Sequence, residues 1–166
     1  MASKKGIAVT IAILVGVAVF AYSLPFLIPE DVTMKIIVTD FEEHLDVTKE
    51  KTSMEITSID ESFEKLIEKK MSSYNYIKIA QVSSSQINSL IIELTSSGAA
   101  QEWYDSYANY IGALKKLNEK ITETIVVANL MNGDNNSNSI NEMIAKIHQL
   151  EIESQDLMKK SDSTRP

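Results

Sequence analysis

The sequence predicts an all-α protein: one N-terminal transmembrane helix, then an extracytoplasmic bundle of three to four long amphipathic helices. Three observations predict it. An uncharged apolar run from Gly6 to Leu24 opens the 166-residue chain. Between Pro29 and Gly98 there is neither glycine nor proline, so strands would lack the turns that must separate them. Beyond residue 30, apolar residues recur at intervals of three and four, the period of a helix with one buried face. No alternating strand pattern persists.

Residues 1–29 form the first segment. The run GIAVTIAILVGVAVFAYSL is long enough, at about 1.5 Å per residue, to cross a hydrocarbon core of about 30 Å. Lys4 and Lys5 precede it, and Glu30 and Asp31 follow it. The positive-inside rule then keeps the N-terminus in the cytoplasm and places residues 30–166 outside, as a single-pass protein of the cell membrane. Tyr22 and Phe26 fall at the outer interface, and Pro25 and Pro29 end the helix as it leaves the lipid. An uncleaved signal anchor is the leading expectation, since the run exceeds the apolar stretch of a cleaved signal, about 7–15 residues. Cleavage after Val19-Phe20-Ala21 is the first alternative. Lys4-Lys5-Gly6-Ile7 resembles the short basic leader of archaeal pilin-like precursors; the resemblance is confined to the leader and apolar helix, and implies a cut before that helix and a filament subunit. Within the span, Ala8, Ala12 and Gly16 lie at i, i+4 and i+8 on one stripe, where small residues let a second helix approach. The competing explanation is that alanine and glycine are simply common in membrane helices.

Residues 30–160 form the outer domain. Met34, Ile37, Phe41, Leu45, Thr48, Thr52, Ile56, Ile59, Phe63 and Leu66 advance by threes and fours. Glu30 and Asp31 mark the expected start of this helix, and Lys69 and Lys70 its expected end, matching the helix dipole. Ser72-Ser73-Tyr74-Asn75 is a candidate break. Ile77, Ala80, Ser84, Ile87, Ile91 and Leu94 then continue the period, and spacing alone leaves open whether 31–97 is one rod or two helices. Thr95-Ser96-Ser97-Gly98 is a stronger stop. The next helix is expected over Ala99–Met131, with Trp103, Tyr107, Tyr110, Leu114, Leu117, Ile121, Ile125 and Ala128 on its stripe. Asn132–Asn138 reads as a polar loop, and Ser139-Ile140-Asn141-Glu142 as the capping box of a last helix, in which Asp156 and Lys160 pair. Residues 161–166 read as a flexible tail. The near-heptad stripes predict shallow, antiparallel, coiled-coil-like contact. Threonine and serine on the stripes make the expected core thin.

Composition narrows function. Without cysteine there is no disulfide scaffold and no thiolate metal site. With Lys4 and Lys5 set aside, residues 30–166 hold 14 basic residues against all 23 acidic ones, a net of −9. The only arginine is Arg165, so no basic face for nucleic acid is in prospect. His44 lies among Asp40, Glu42, Glu43 and Asp46; Asp40 and His44 share a helical face, a weak divalent arrangement, but a solvated acidic surface is the plainer expectation. His148 has no second ligand on its N-terminal side, and the Glu-x-x-His motif of di-iron bundles is absent. Asp134–Asn138 alternates oxygen-bearing residues but departs from a calcium loop at Ser139 and Ala145. Asn135-Asn136-Ser137 is a candidate glycosylation sequon. Trp103, Tyr104, Tyr107 and Tyr110 concentrate aromatics in two turns, as a partner or ligand contact or as ordinary core, with Tyr104 off the stripe and best placed to face outward. No nucleophile–base pair, phosphate-binding glycine loop or perturbed carboxylate pair is present.

The expectation is therefore a non-catalytic structural or interaction subunit without catalytic, cofactor or metal residues. It would meet membrane lipid, and a protein partner or a second copy through the span and outer helices, within a larger membrane assembly. A ligand-sensing bundle is the alternative, since membrane-tethered helical domains resemble the outer halves of chemoreceptors; no second span returns to carry a signal inward.

Overall fold

The computed structural model describes residues 38–132 and 137–166. They form α1 (Phe41–Ile67), α2 (Ser73–Ser96), a single 3-10 turn (Gln101–Trp103), α3 (Tyr104–Met131) and α4 (Ser137–Ser163). No strand occurs among the described residues. Contacts between helix ends show that successive helices alternate in direction. The start of α1 meets the end of α2 (His44 to Glu93), the start of α2 meets the end of α3 (Tyr76 to Thr124), and the start of α3 meets the end of α4 (Ser106 to Ser161).

The open question over 31–97 resolves into two helices, and the reason was hidden by residue type. Lys69 adopts the left-handed conformation (φ 59°) usual for a glycine after a helix. The Lys70 amide donates to the Lys65 carbonyl at 2.8 Å and the Lys69 amide to that of Leu66 at 2.9 Å, closing the helix end as a Schellman turn. Ser72 then caps α2, its side chain accepting from the Asn75 amide at 3.3 Å. Gly98, at φ 62°, closes the end of α2 as its residue type suggests.

Four boundaries differ from expectation. Helix α3 starts at Tyr104, after the 3-10 turn, and not at Ala99. Residues 38–40 are not helical; α1 starts at Phe41, where the Asp40 side chain accepts from the Glu43 amide at 2.9 Å. Asp40 thus acts as a cap where a helix from Glu30 was expected, and Met34 and Ile37 lie outside the described residues. Helix α4 begins at Ser137, which puts the expected capping box inside the helix. It also continues to Ser163, and Ser161, expected in a flexible tail, is fully buried. The expected Asp156–Lys160 pair is replaced by Asp156–Lys159 at 3.6 Å.

Helix α3 is the hub. Its Tyr107, Tyr110, Leu114, Leu117, Ile121 and Ala128 share one core with Leu45, Ile59 and Leu66 of α1 and Tyr76, Ala80, Ile87, Leu90 and Leu94 of α2. On its other side α3 lies closest to α4, along Ser106, Ala113, Lys120 and Val127, which recur every seventh residue and are buried. Across from them are the buried Ser161, Ser154 and Ile147 at the same interval in the opposite direction. Small residues permit this approach: Ser106 Oγ donates to the Ser161 carbonyl at 2.8 Å, and Ser154 Oγ donates to the Ala113 carbonyl at 2.9 Å. A Cβ on Gly112 would lie 3.4 Å from Leu157 Cδ1. The core under α1 is thin, as expected. Thr48 and Thr52 are buried, and each satisfies its hydroxyl on the carbonyl four residues back, at 2.8 Å.

Candidate functional site

The four aromatic residues at the start of α3 separate by role. Tyr107 and Tyr110 are buried in the core. Trp103 is half-buried and meets the Tyr107 ring edge-on, with centroids 6.5 Å apart. Tyr104 points away from the bundle and is 65% exposed. The cluster therefore supplies one outward contact and three residues that build the end of the bundle.

That end carries a polar hub which the sequence reading did not anticipate. His44 lies against the inside of α1: its Nδ1 is 2.9 Å from the Tyr107 hydroxyl and its Nε2 is 3.1 Å from Glu93 Oε1. The Tyr107 hydroxyl is also 3.0 Å from the Phe41 carbonyl. Proton counting allows two arrangements. If Tyr107 donates to Phe41, its oxygen accepts from Nδ1–H, and Nε2 must also carry a proton to face a carboxylate, so the ring is an imidazolium. If the ring is neutral, Nε2–H donates to Glu93 and Tyr107 donates to Nδ1 instead. Burial, with the carboxylates of Asp40 and Glu93 adding to it, pushes the Tyr107 hydroxyl up to about 12. It is thus a protonated hydrogen-bond donor at neutral pH and not a base. Lys51 lies 3.9 Å from the second Glu93 oxygen.

Beside the hub, Asp40, Glu42, Glu43, Asp46, Val47 and Glu50 line an open depression of about 430 Å³. Its charge is partly answered from within the chain. Arg165 pairs with Asp46, and lies 3.3 Å from Asp162 and 3.9 Å from Glu42, while Lys49 pairs with Asp162. The Arg165 guanidinium holds the Asp46 carboxyl below the usual carboxylate range. Among the described residues no group of three or more His, Asp or Glu side chains is arranged to hold a metal ion. Comparison with protein-family models, with curated proteins and with solved structures finds no match to this chain.

The remaining sequence-selected residues, Ala8, Ala12, Gly16 and Asn135, lie outside the described residues. Among the described residues, no helix is long and apolar enough to cross a membrane.

A further surface feature is the outer side of α2. Tyr74, Val82 and Ile92 are 64%, 59% and 57% exposed. Lys78 is the face's one charge, and its ammonium sits 4.4 Å from the centre of the Tyr74 ring. The helix's other charged residue, Glu93, is turned toward His44 and Lys51. The signal for this face was present in the sequence. Residues 73–96 hold only Lys78 and Glu93 as charges in a strongly acidic domain. The inward placing of His44 and Lys120 carried no such signal: each lies one residue before a stripe position, Leu45 and Ile121, and residue type argued against burying it.

Proposed function

We propose that this chain is a membrane-anchored, non-catalytic interaction subunit. Residues 1–29 serve as an uncleaved signal anchor and single span, and the helical domain is displayed on the extracytoplasmic face. The observation that carries this reading is the outer face of α2. Three large apolar side chains stand exposed on one helix with a single charge among them, whereas the exposed Val47, Met54 and Ile67 of α1 are interspersed with carboxylates. Apolar exposure of this kind is characteristic of surfaces that meet another protein. The seventh-residue repeat along α3 and α4 supports coiled-coil-like contact within the domain.

Co-purification of the full chain from mild detergent tests the reading. A stoichiometric polypeptide or a second copy is expected, and a solitary monomer that stays solitary at high concentration contradicts it. Protease treatment of sealed cells tests the orientation, with residues 30–166 expected to be cut. Intact mass separates an uncleaved anchor from loss of residues 1–6 or 1–21.

A further inference from the structure

We propose that the outer face of α2 pairs antiparallel with the same face of a second copy of this chain. The proposal rests on the interaction-subunit reading and supplies its partner.

The face is built for self-pairing. Asn75, Lys78, Val82, Ser85, Ser89 and Ile92 are all exposed and are spaced 3-4-3-4-3. That interval series reads the same from either end, so a twofold axis between Ser83 and Ser84 maps the stripe onto itself. Val82 then meets Ser85 of the second copy, Lys78 meets Ser89, and Asn75 meets Ile92. The serines let the two backbones approach, and the valine and isoleucine fill the space on either side.

Charge disfavours the α1 face and sets the direction. The domain beyond residue 30 carries a net of −9. Helix α1 exposes Glu42, Glu43, Asp46 and Glu50, whereas α4 mixes exposed Glu142 and Asp156 with Lys146, Lys159 and Lys160. Two copies meeting through that α1 face repel at separations below a Debye length, about 8 Å at physiological salt. Contact through α2 avoids that repulsion. A parallel pair would set Lys78 against Lys78, whereas the antiparallel pair sets it against Ser89. The stripe from Asn75 to Ile92 is about 26 Å long. One such helix pair buries roughly 1,000–1,200 Å² in total, at the lower limit for a specific interface. The dimer is therefore weak and concentration-dependent.

The chain has no cysteine, so a single introduced thiol reports contact cleanly. The test uses the full chain in mild detergent under gentle oxidation. Each Ser85 lies about 4.5 Å along the axis from its mate, within reach of a disulfide, while each Ser89 lies about 16 Å from its mate. Ser85→Cys is expected to form a covalent dimer, and Ser89→Cys and the α1 control Ser58→Cys at least tenfold less. Adding Val82→Asp to Ser85→Cys is expected to cut dimer yield tenfold while the far-ultraviolet circular dichroism stays unchanged. Equal cross-linking of Ser85→Cys and Ser89→Cys overturns the antiparallel pair, and equal cross-linking at Ser58→Cys overturns specific contact. If Ser85→Cys stays monomeric but Val82→Asp releases a different co-purifying polypeptide, the second copy is wrong and the interaction-subunit reading stands. If neither happens, both fail.

Discussion

The two sides of α3 are held by different physics. Toward α4 the backbones come close, because serine, alanine and glycine leave room, and the hydroxyls bond across the seam to carbonyls; ion pairs, Lys116–Glu153 at 3.1 Å and Lys146–Glu123 at 2.6 Å, lie at its rim. Toward α1 the buried contact is thinner, with Thr48 and Thr52 where larger apolar residues would usually sit. There the attachment depends on polar links: His44 to Tyr107 and Glu93, Lys120 to Asp60 at 2.8 Å, and Asp46 to Arg165. Close van der Waals contact is intolerant of added volume but indifferent to pH and salt. A polar edge behaves in the opposite way.

The largest expected effect comes from crowding the close seam. Ala113→Leu should lower stability by about 2–3 kcal/mol, read as a fall in the urea midpoint at constant slope. An unchanged midpoint would mean the two helices can separate freely. Next is Lys120, whose side chain is only 5% exposed and whose ammonium also lies 3.8 Å from Glu151. Lys120→Ala should cost about 2 kcal/mol, and Lys120→Met should recover most of it, because the stem fills space and Asp60 remains partly solvated. Should methionine prove no better than alanine, the ammonium and not the stem is what holds α1.

Tyr107→Phe removes the hydroxyl joining α3 to α1 and should cost about 1 kcal/mol. Hydrogen exchange should localise the loss to the first turns of α1. The smallest effect belongs to Asp46. Its carboxyl is held below the usual range by Arg165, so its contribution is present above the ordinary value of 3.8 and disappears as pH falls through the lowered folded value. More than half of that side chain is exposed, so the contribution is a few tenths of a kcal/mol. Asp46→Asn should flatten this part of an acid titration of stability, and salt should mimic it.

The sequence made the helical class legible through period and the rarity of glycine and proline. It also made Gly98 legible as a stop, and the stripe of α3; on α2 it found Ala80, Ile87 and Leu94 but chose Ile77, Ser84 and Ile91 where their neighbours Tyr76, Ser83 and Leu90 are the buried ones. It offered the break after Ile67 only as a candidate, at Ser72–Asn75, because Lys69 occupies a conformation that residue type alone assigns to glycine. It misplaced Ser161 because serine looks like tail until its hydroxyl-bearing side chain is seen against Ser106. Of the candidate site, the outward direction of Tyr104 was legible from its position off the stripe. The burial of His44 was not, since its acidic neighbours in sequence point elsewhere in space and its partners come from α2 and α3.

The chain enters the described domain through Asp40, the cap of α1. Tension applied from that end therefore loads the polar edge first, and in an unzipping direction. Asp46 would part from Arg165 before the next links toward the middle of the bundle are strained. The α3–α4 pair would still be intact when α1 had peeled away. Unravelling the 27 residues of α1 would lengthen the chain by about 50 Å. In a pulling experiment this should appear as an early, low-force step, with the remaining helices yielding later and at higher load.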